Sequence, residues 1–220
     1  MISPISRSSP KTATFVFALL LCVPWGIAVG AGMIWLTRYA STPGDAGTPP
    51  ADWPARAHLA RGPYTLVMAA HPKCPCTRAS LDELAVVMAE AQGRMAATVL
   101  FLAPLDERSD WWETSLWHAA ARIPGVTPVV DRGGVLQHVF GAFTSGSVAV
   151  YDSSNHLRFS GGLTAARGHA GVNAGRLSLI ALMDSRQMVA TAITPVFGCP
   201  LAGPTIGDQA RRGGGEDGAP

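Results

Sequence analysis

The residues of this chain best suited to chemistry sit in one short stretch, His71-Pro-Lys-Cys-Pro-Cys76. Two thiols separated by one proline, beside a lysine and a histidine, can serve as a redox couple or as ligands for a soft metal. In both cases the working species is the thiolate, so the question is what lowers a thiol pKa here. Pro75 lacks an N–H and fits the first turn of a helix, which places Cys74 at the helix N-terminus and Cys76 within that turn. Free N–H groups and the positive end of the helix dipole favour an anion there, and Lys73 adds a nearby cation. Cys74 is therefore expected to ionise more readily than an ordinary thiol. The competing reading, two buried structural cysteines, fits poorly with a lysine and two prolines around them.

A third thiol, Cys199, stands in Val196-Phe-Gly-Cys-Pro-Leu201 near the end of the chain. It could fold back to the pair as a resolving thiol or as a third metal ligand, or it could be a buried hydrophobe pinning the C-terminus. His71, three residues before Cys74, could join Cys74, Cys76 and Cys199 around copper or zinc, since imidazole and thiolate suit both metals. Alternatively it caps the strand end and tunes the thiolate. Trp111, Trp112 and Trp117 could form a peptide or cofactor surface, although aromatic residues at helical spacing also build core and rim. His169, in Gly168-His-Ala-Gly-Val-Asn173, could approach the pair or stabilise its loop. Phe140 and Phe143 read as core, and Cys22, inside an apolar run, as a packing or lipid-facing residue. There is no G-x-S-x-G elbow, H-E-x-x-H or P-loop, so hydrolytic and nucleotide-driven chemistry have no positive sign.

The elements that must position these thiols follow from hydrophobic periodicity. Tyr64-Thr-Leu-Val-Met-Ala69 reads as a buried strand directly before the cysteines, and Leu81, Leu84, Ala85 and Met88 mark one face of the helix directly after them. Ala97-Thr-Val-Leu-Phe-Leu102 is a second buried strand. Asp110-x-x-Glu113 resembles a capping box opening a helix with Trp112, Leu116, Ala119 and Ile123 on its apolar face. Such a βαβα unit implies parallel strands and a right-handed crossover. Val126-Thr-Pro-Val-Val130 is a third strand, followed by a short helix or turn over Val135–Phe143. Ser147–Tyr151 and Leu157–Ser160 flank a turn-rich connection that suits an antiparallel hairpin. A last helix starts near Asn173, a suitable N-cap, and carries Leu177, Ile180, Ala181 and Met183. The order predicts a mixed sheet covered on both faces by helices.

Composition bounds the rest. In 220 residues, 17 basic and 15 acidic side chains leave a net charge of +2, and 48% of residues are hydrophobic against 15% charged. That balance excludes disorder as the dominant state and a nucleic acid as the main partner. Four cysteines, unevenly spaced and with no CxxC pair, make neither a disulfide-framework miniprotein nor a structural zinc ribbon.

Residues 12–36 form a charge-free run that would make about 37 Å of helix, enough to cross a hydrocarbon core of roughly 30 Å with some tilt. The run continues past its small residues, which favours an uncleaved anchor over a signal peptide. Gly26 and Gly30 form a GxxxG that could pack a helix pair, a spacing also common by chance in spans. Arg7 and Lys11 precede the run and Arg38 alone follows closely, so the N-terminus is expected in the cytoplasm and the rest outside it. The organisation expected is then a cytoplasmic N-terminus (1–11), a transmembrane helix (12–36), a Pro/Gly-rich linker running as an extended tether (37–57), one domain (58–201) and a disordered tail (202–220).

The strand, the cysteine pair at a helix N-terminus, the βαβ unit and the ββα finish together resemble the thioredoxin superfamily over about residues 58–187. Val126-Thr-Pro-Val-Val-Asp131-Arg-Gly-Gly, Phe140-Gly-Ala-Phe, Val148-Ala-Val-Tyr-Asp152 and Phe159-Ser-Gly-Gly162 are similar to membrane-tethered thiol reductases and peroxiredoxin-like members. His71–Ser80, Ser160-Gly-Gly-Leu-Thr-Ala-Ala-Arg-Gly-His169 with Asn173-Ala-Gly-Arg176, and Thr194-Pro-Val-Phe-Gly-Cys-Pro-Leu201 resemble the RedB-like bacterial proteins. The resemblance implies an α/β fold, a thioredoxin-like mixed sheet with flanking helices, plus the one N-terminal transmembrane helix. This chain departs from ordinary thioredoxins in two places. Its thiols are spaced C-x-C, which closes a smaller, more strained and hence more oxidising ring. Gly146 stands where the family carries a cis-proline; the residue before that proline usually contacts substrate peptide and excludes metal.

Three functions are expected in order. The first is a thiol-disulfide oxidoreductase anchored in the bacterial cytoplasmic membrane, with its soluble domain on the periplasmic side. It would use Cys74, Cys76 and Cys199 on protein thiols or disulfides, or on a redox partner, and require no cofactor. The second is a copper chaperone holding Cu(I) through Cys74, Cys76 and His71 or Cys199. The third is an assembly factor without turnover.

Overall fold

The charge-free run lies within one long helix, α1 (Pro10–Ser41), with Pro24 inside it. Residues Thr14–Ser41 are long and apolar enough, by length and composition, to cross a membrane, and their side chains are not packed against protein. The computed structural model describes residues 10–105, 110–184 and 191–201. The N-terminal residues 1–9 and the expected disordered tail 202–220 lie outside the described residues. The chain divides into two units, Met1–Ala40 and Ser41–Pro220, and the second carries all the remaining elements.

That unit is built on β1 (Tyr64–Ala70), β2 (Met95–Ala103), β3 (Val126–Arg132), β4 (Val148–Asp152), β5 (Leu157–Gly161) and β6 (Ala192–Ile193). They form one sheet in the order β3-β2-β1-β4-β5-β6. β1 pairs parallel with β2 and β2 with β3, whereas β4 runs antiparallel to both β1 and β5. The short β6 adds a parallel edge to β5. The sheet is therefore mixed, with β1 at its centre, and the arrangement is the thioredoxin-like one.

Alternation along β1 assigns the two faces. Leu66, Met68 and Ala70 point to one face, where Leu84 and Val87 of α2 (Pro75–Ala91), Leu116 of α3 (Ser115–Ala121) and Leu179 of α5 (Ala174–Asp184) complete a core. Val67 points to the other, with Leu100, Phe140 and Tyr151, beside α4 (Val135–Val139). Each fully buried large apolar side chain contributes about 1.5–3 kcal/mol, so the doubly covered strand β1 is the best-anchored backbone in the domain. The cysteine loop 71–74 hangs directly from its end.

Three expectations change. The helix expected from Asp110-x-x-Glu113 starts later, at Ser115, with Thr114 as N-cap. Asp110 instead accepts a turn hydrogen bond from the Glu113 N–H, leaving Trp112 ahead of the helix. The Thr114 hydroxyl does not cap: it donates to the Pro72 carbonyl at 2.9 Å and so ties α3 to the cysteine loop. The linker is not a free tether either. Trp53 packs edge-on against Phe140 and Tyr151, Tyr151 Oη donates to the Pro50 carbonyl, and the Leu157 N–H to that of Ala51. Residues near 44–57 thus seal the second face of the sheet, where no long helix lies. Finally, β6 was not expected: two residues carry no periodicity.

The last helix does start as expected, with Asn173 Oδ1 accepting from the Arg176 N–H at 2.9 Å. Its position is fixed by Glu83 of α2, buried at 2% exposure, which meets the Arg176 guanidinium at 3.0 Å and accepts from Asn173 Nδ2 at 3.2 Å.

Candidate active site

Cys74 is the N-cap of α2, in extended conformation, with Pro75 at the first helical position. Its own N–H reaches the His71 carbonyl at 3.1 Å and its carbonyl accepts from Thr77, so the loop 71–74 closes as a tight turn onto the helix. The Cys74 side chain is buried, at 2% exposure. Cys76 and Cys199 are half-buried.

The structure brings all three thiols together. Cys74 Sγ and Cys199 Sγ are 2.7 Å apart, and the three sulfurs of Cys74, Cys76 and Cys199 lie within 4.8 Å of one another. His71 is not part of that cluster among the described residues. Its Nδ1 accepts from the Lys73 N–H at 3.1 Å, and its ring meets Trp111 edge-on. Burial, with Lys73 close by, holds the His71 pKa below its ordinary value and favours the uncharged ring. Lys73 itself turns away from the thiols and lays its ammonium over the Trp111 ring at 4.3 Å. Trp111 is thus a rim residue of the cysteine loop. Trp117 joins the core beside Phe101, with Trp112 against it. Phe140 is core and Phe143 is partly exposed. His169 is exposed, its ring bonded to the Arg167 carbonyl. Cys22 is exposed on α1, in the other unit.

The thiols are electrostatically unequal. Burial, the largest influence on Cys74, opposes ionisation, but hydrogen bonds from the Cys199 thiol and N–H and from the Cys76 and Thr77 N–H groups outweigh it and bring its pKa down. The depression expected from the helix terminus is present, and its main carriers are Cys199 and these backbone donors. For Cys199, burial and its role as donor to Cys74 push the pKa up to about 12, against the pull of Arg167. Cys76 is also raised, by burial and by the neighbouring Cys74 charge, again partly offset by Arg167. The site therefore holds one thiol that ionises more readily than usual, Cys74, beside two that ionise less readily, Cys199 in hydrogen-bond contact with it and Cys76 alongside.

Arg167 is the functional residue that sequence reasoning missed. Its guanidinium donates to the Gly198 carbonyl and is the cation that acts on Cys76 and Cys199. It lies in the Ser160–His169 motif, but an arginine 91 positions after Cys76 gives no spacing from which to infer contact.

The loop 144–147 around Gly146 is trans throughout. Gly146 sits at φ +92, with its N–H bonded to the Ala69 carbonyl. Ser145, nearly fully buried, accepts from the His71 N–H at 2.9 Å and shares a hydrogen bond with the Thr77 hydroxyl at 2.8 Å. This loop is thereby locked to both sides of the cysteine turn.

Solved structures with the same arrangement include a hypothetical protein of Sinorhizobium meliloti, 20% identical over 74% of this chain and 96% of that one, at a TM-score of 0.53. An uncharacterised conserved protein of Geobacillus kaustophilus is 15% identical over 74% of this chain and 89% of that one, at 0.52. Both show the fold. A secreted disulfide oxidoreductase of Mycobacterium tuberculosis matches over 56% of this chain and 83% of its own, with 13% identity and a TM-score of 0.39. At that similarity the chemistry must be argued from the site itself. No protein-family model matches the sequence, and no curated protein does either.

Proposed function

We propose that this chain is a thiol-disulfide oxidoreductase, anchored in the bacterial cytoplasmic membrane by α1 and working on its outer side. The observation that carries the reading is the Cys74 sulfur: a thiol with lowered pKa at a helix N-terminus, 2.7 Å from a second thiol and within 4.8 Å of a third. A thiolate with resolving thiols in reach is what disulfide exchange requires. Cys74 attacks a substrate disulfide, giving a mixed disulfide and releasing one substrate thiolate. A neighbouring thiol, Cys76 or Cys199, then attacks the Cys74 sulfur and frees the second. The substrate gains two electrons and the protein holds an internal disulfide, which an external dithiol reduces to close the cycle. Every step is reversible, so an oxidised protein runs the same chemistry in the opposite direction. Arg7 and Lys11 before the charge-free run 12–36, against Arg38 after it, support the outward orientation. The RedB-like motifs favour this group within the superfamily.

The test uses the full chain in detergent, reduced and metal-free, equilibrated against glutathione buffers while free thiols are counted. Two thiols of the soluble unit should disappear together at one potential, and Cys74→Ser should abolish the transition. Survival of that transition in Cys74→Ser overturns the reading.

The three-sulfur cluster favours one second reading, a soft-metal site of Cys74, Cys76 and Cys199 for Cu(I). Metal binding would require the Cys199 proton to leave against a pKa near 12. Titration with Cu(I) under a competing chelator separates the two: stoichiometric tight binding with loss of thiol reactivity supports delivery of metal, and weak binding supports exchange.

A further inference from the structure

We infer that Arg167 is a positioning residue: through its bond to the Gly198 carbonyl it holds the Cys199 sulfur against Cys74, and so makes Cys199, rather than Cys76, the thiol that resolves the mixed disulfide. The inference rests on the oxidoreductase reading and deepens it.

Cys199 belongs to neither a helix nor one of the six strands, so its place depends on bonds made by the backbone around it. Two of these flank its Cα. The Arg167 guanidinium donates to the carbonyl of Gly198, and the Ser145 N–H donates to the carbonyl of Cys199 itself at 2.8 Å. With both adjoining peptide planes held, the sulfur has little left to adjust but its own side-chain rotation. Farther on, the Leu201 N–H donates to the Phe143 carbonyl at 2.9 Å and its side chain is buried against Ala69 and Ala142. Gly198 suits this close fit, because a Cβ there would collide with the Ser145 carbonyl. The outcome is the 2.7 Å approach of the Cys199 sulfur to that of Cys74. Cys76 instead stands two residues along the start of α2, a separation at which helical side chains do not face each other.

Arg167 is itself held, because its loop is pinned at the base and at the tip. Asn173 Nδ2 donates to the Leu163 carbonyl at 2.7 Å and to the Gly171 carbonyl at 2.9 Å, and the Gly171 N–H donates to the Glu83 carboxylate. Glu83 belongs to α2, the helix whose N-terminus carries Cys74 and Cys76. At the tip, the His169 N–H donates to the Ala166 carbonyl at 3.3 Å and its ring to the Arg167 carbonyl at 2.8 Å. The arginine and the thiols are thus tied to one helix. In the mixed disulfide Cys74 carries no charge, so its hold on the Cys199 proton lapses while the Arg167 cation stays to ease that proton's loss. Cys199 gives its proton to water and its sulfur attacks Cys74 Sγ. The bond from Cys74 to the substrate breaks, the substrate sulfur leaves with the electron pair, and a Cys74–Cys199 disulfide remains for an external dithiol to reduce.

The experiment uses the reduced full chain in detergent, with Cys22→Ser throughout so that only the clustered thiols react, and one equivalent of the disulfide of thionitrobenzoate. Colour appears in two phases: attack by Cys74 releases the first thionitrobenzoate, and resolution releases the second. The second phase starts from Cys74 already bonded to the reagent, so it does not depend on how readily Cys74 ionises. Acid quench, alkylation and peptide mapping identify the disulfide formed. The parent chain should give Cys74–Cys199; Cys76→Ser should keep the second phase and Cys199→Ser should lose it. Arg167→Gln should slow the second phase about tenfold, the loss of one charged hydrogen bond, and shift the product toward Cys74–Cys76, with Arg167→Lys recovering most of the rate. A Cys74–Cys76 product in the parent chain, or an Arg167→Gln variant unchanged in rate and product, overturns the inference. So does a fall in both phases alike that Arg167→Lys does not recover, the mark of a merely structural arginine. A first phase that survives undiminished in Cys74→Ser overturns the oxidoreductase reading instead.

Discussion

The electrostatics of the thiol cluster turn on one contact between Cys74 and Cys199. Cys74 is stabilised as an anion mainly because Cys199 remains a proton donor, so the two pKa values move in opposite directions from a common starting value. The sign of the pH dependence follows. Alkylation of Cys74 by iodoacetamide should rise with pH through a midpoint below that of an ordinary thiol, about 8.5, while Cys199 stays unreactive until strongly alkaline pH. Cys199→Ala removes the donor to the anion, which disfavours the thiolate and moves the Cys74 midpoint upward, costing about tenfold in rate at neutral pH once the plateau rates are matched. The midpoint, unlike the plateau, does not depend on how far the smaller side chain opens the site. A midpoint that stays put in Cys199→Ala would show that the helix terminus alone carries the depression.

Element by element, the sequence reveals those parts of the structure whose cause is local. The strand before the thiols and the helix after them follow from an apolar run, a proline that fits only the first helical turn, and an i, i+3, i+4, i+7 face. Asn173 is recognisable as an N-cap for a similar reason. What escapes sequence reading is contact across sequence distance. Nothing in Asp110-x-x-Glu113 signals that the Thr114 hydroxyl is bonded to the Pro72 carbonyl or that the helix waits for Ser115. The return of Cys199 to the pair carried no local signal, and the ladder to Phe143–Ser145 brings it there. The anchorage of the last helix was likewise hidden, because Glu83 reads as an exposed helix residue. Its burial beside Arg176 and Asn173 makes a definite prediction. Glu83→Ala leaves the Arg176 guanidinium, only 15% exposed, without its carboxylate. It should destabilise the domain by about 3 kcal/mol, measured by urea unfolding with Asp184→Ala, which breaks only an exposed ion pair to Arg94, as the near-neutral comparison.

On the scale of the whole molecule, the membrane-spanning candidate and the thiol-bearing domain are separate units, and the residues from Ser41 onward belong with the domain. The composition of 41–57 argues for a solvated tether, since prolines, glycines and small polar residues cannot build a core of their own. They need not, because the sheet offers an apolar face that only the short α4 otherwise covers. Trp53 makes two edge-on aromatic contacts there, Arg61 stacks on its other side at 4.0 Å, and Tyr151 bonds to Pro50. Aromatic pairs add about 0.5–1.5 kcal/mol each beyond the area they bury. One main-chain-directed hydrogen bond adds about 1 kcal/mol. A soluble fragment beginning at Ser41 should therefore be more stable than one beginning at His58 by about 2–4 kcal/mol, read as a higher urea midpoint with a nearly unchanged slope. Trp53→Ala in the longer fragment should recover most of the difference, because the tryptophan, and not chain length, does the sealing. Equal midpoints for the two fragments would return residues 41–57 to the role of a tether. A large difference makes them part of the folded domain, the segment that covers the second face of its sheet.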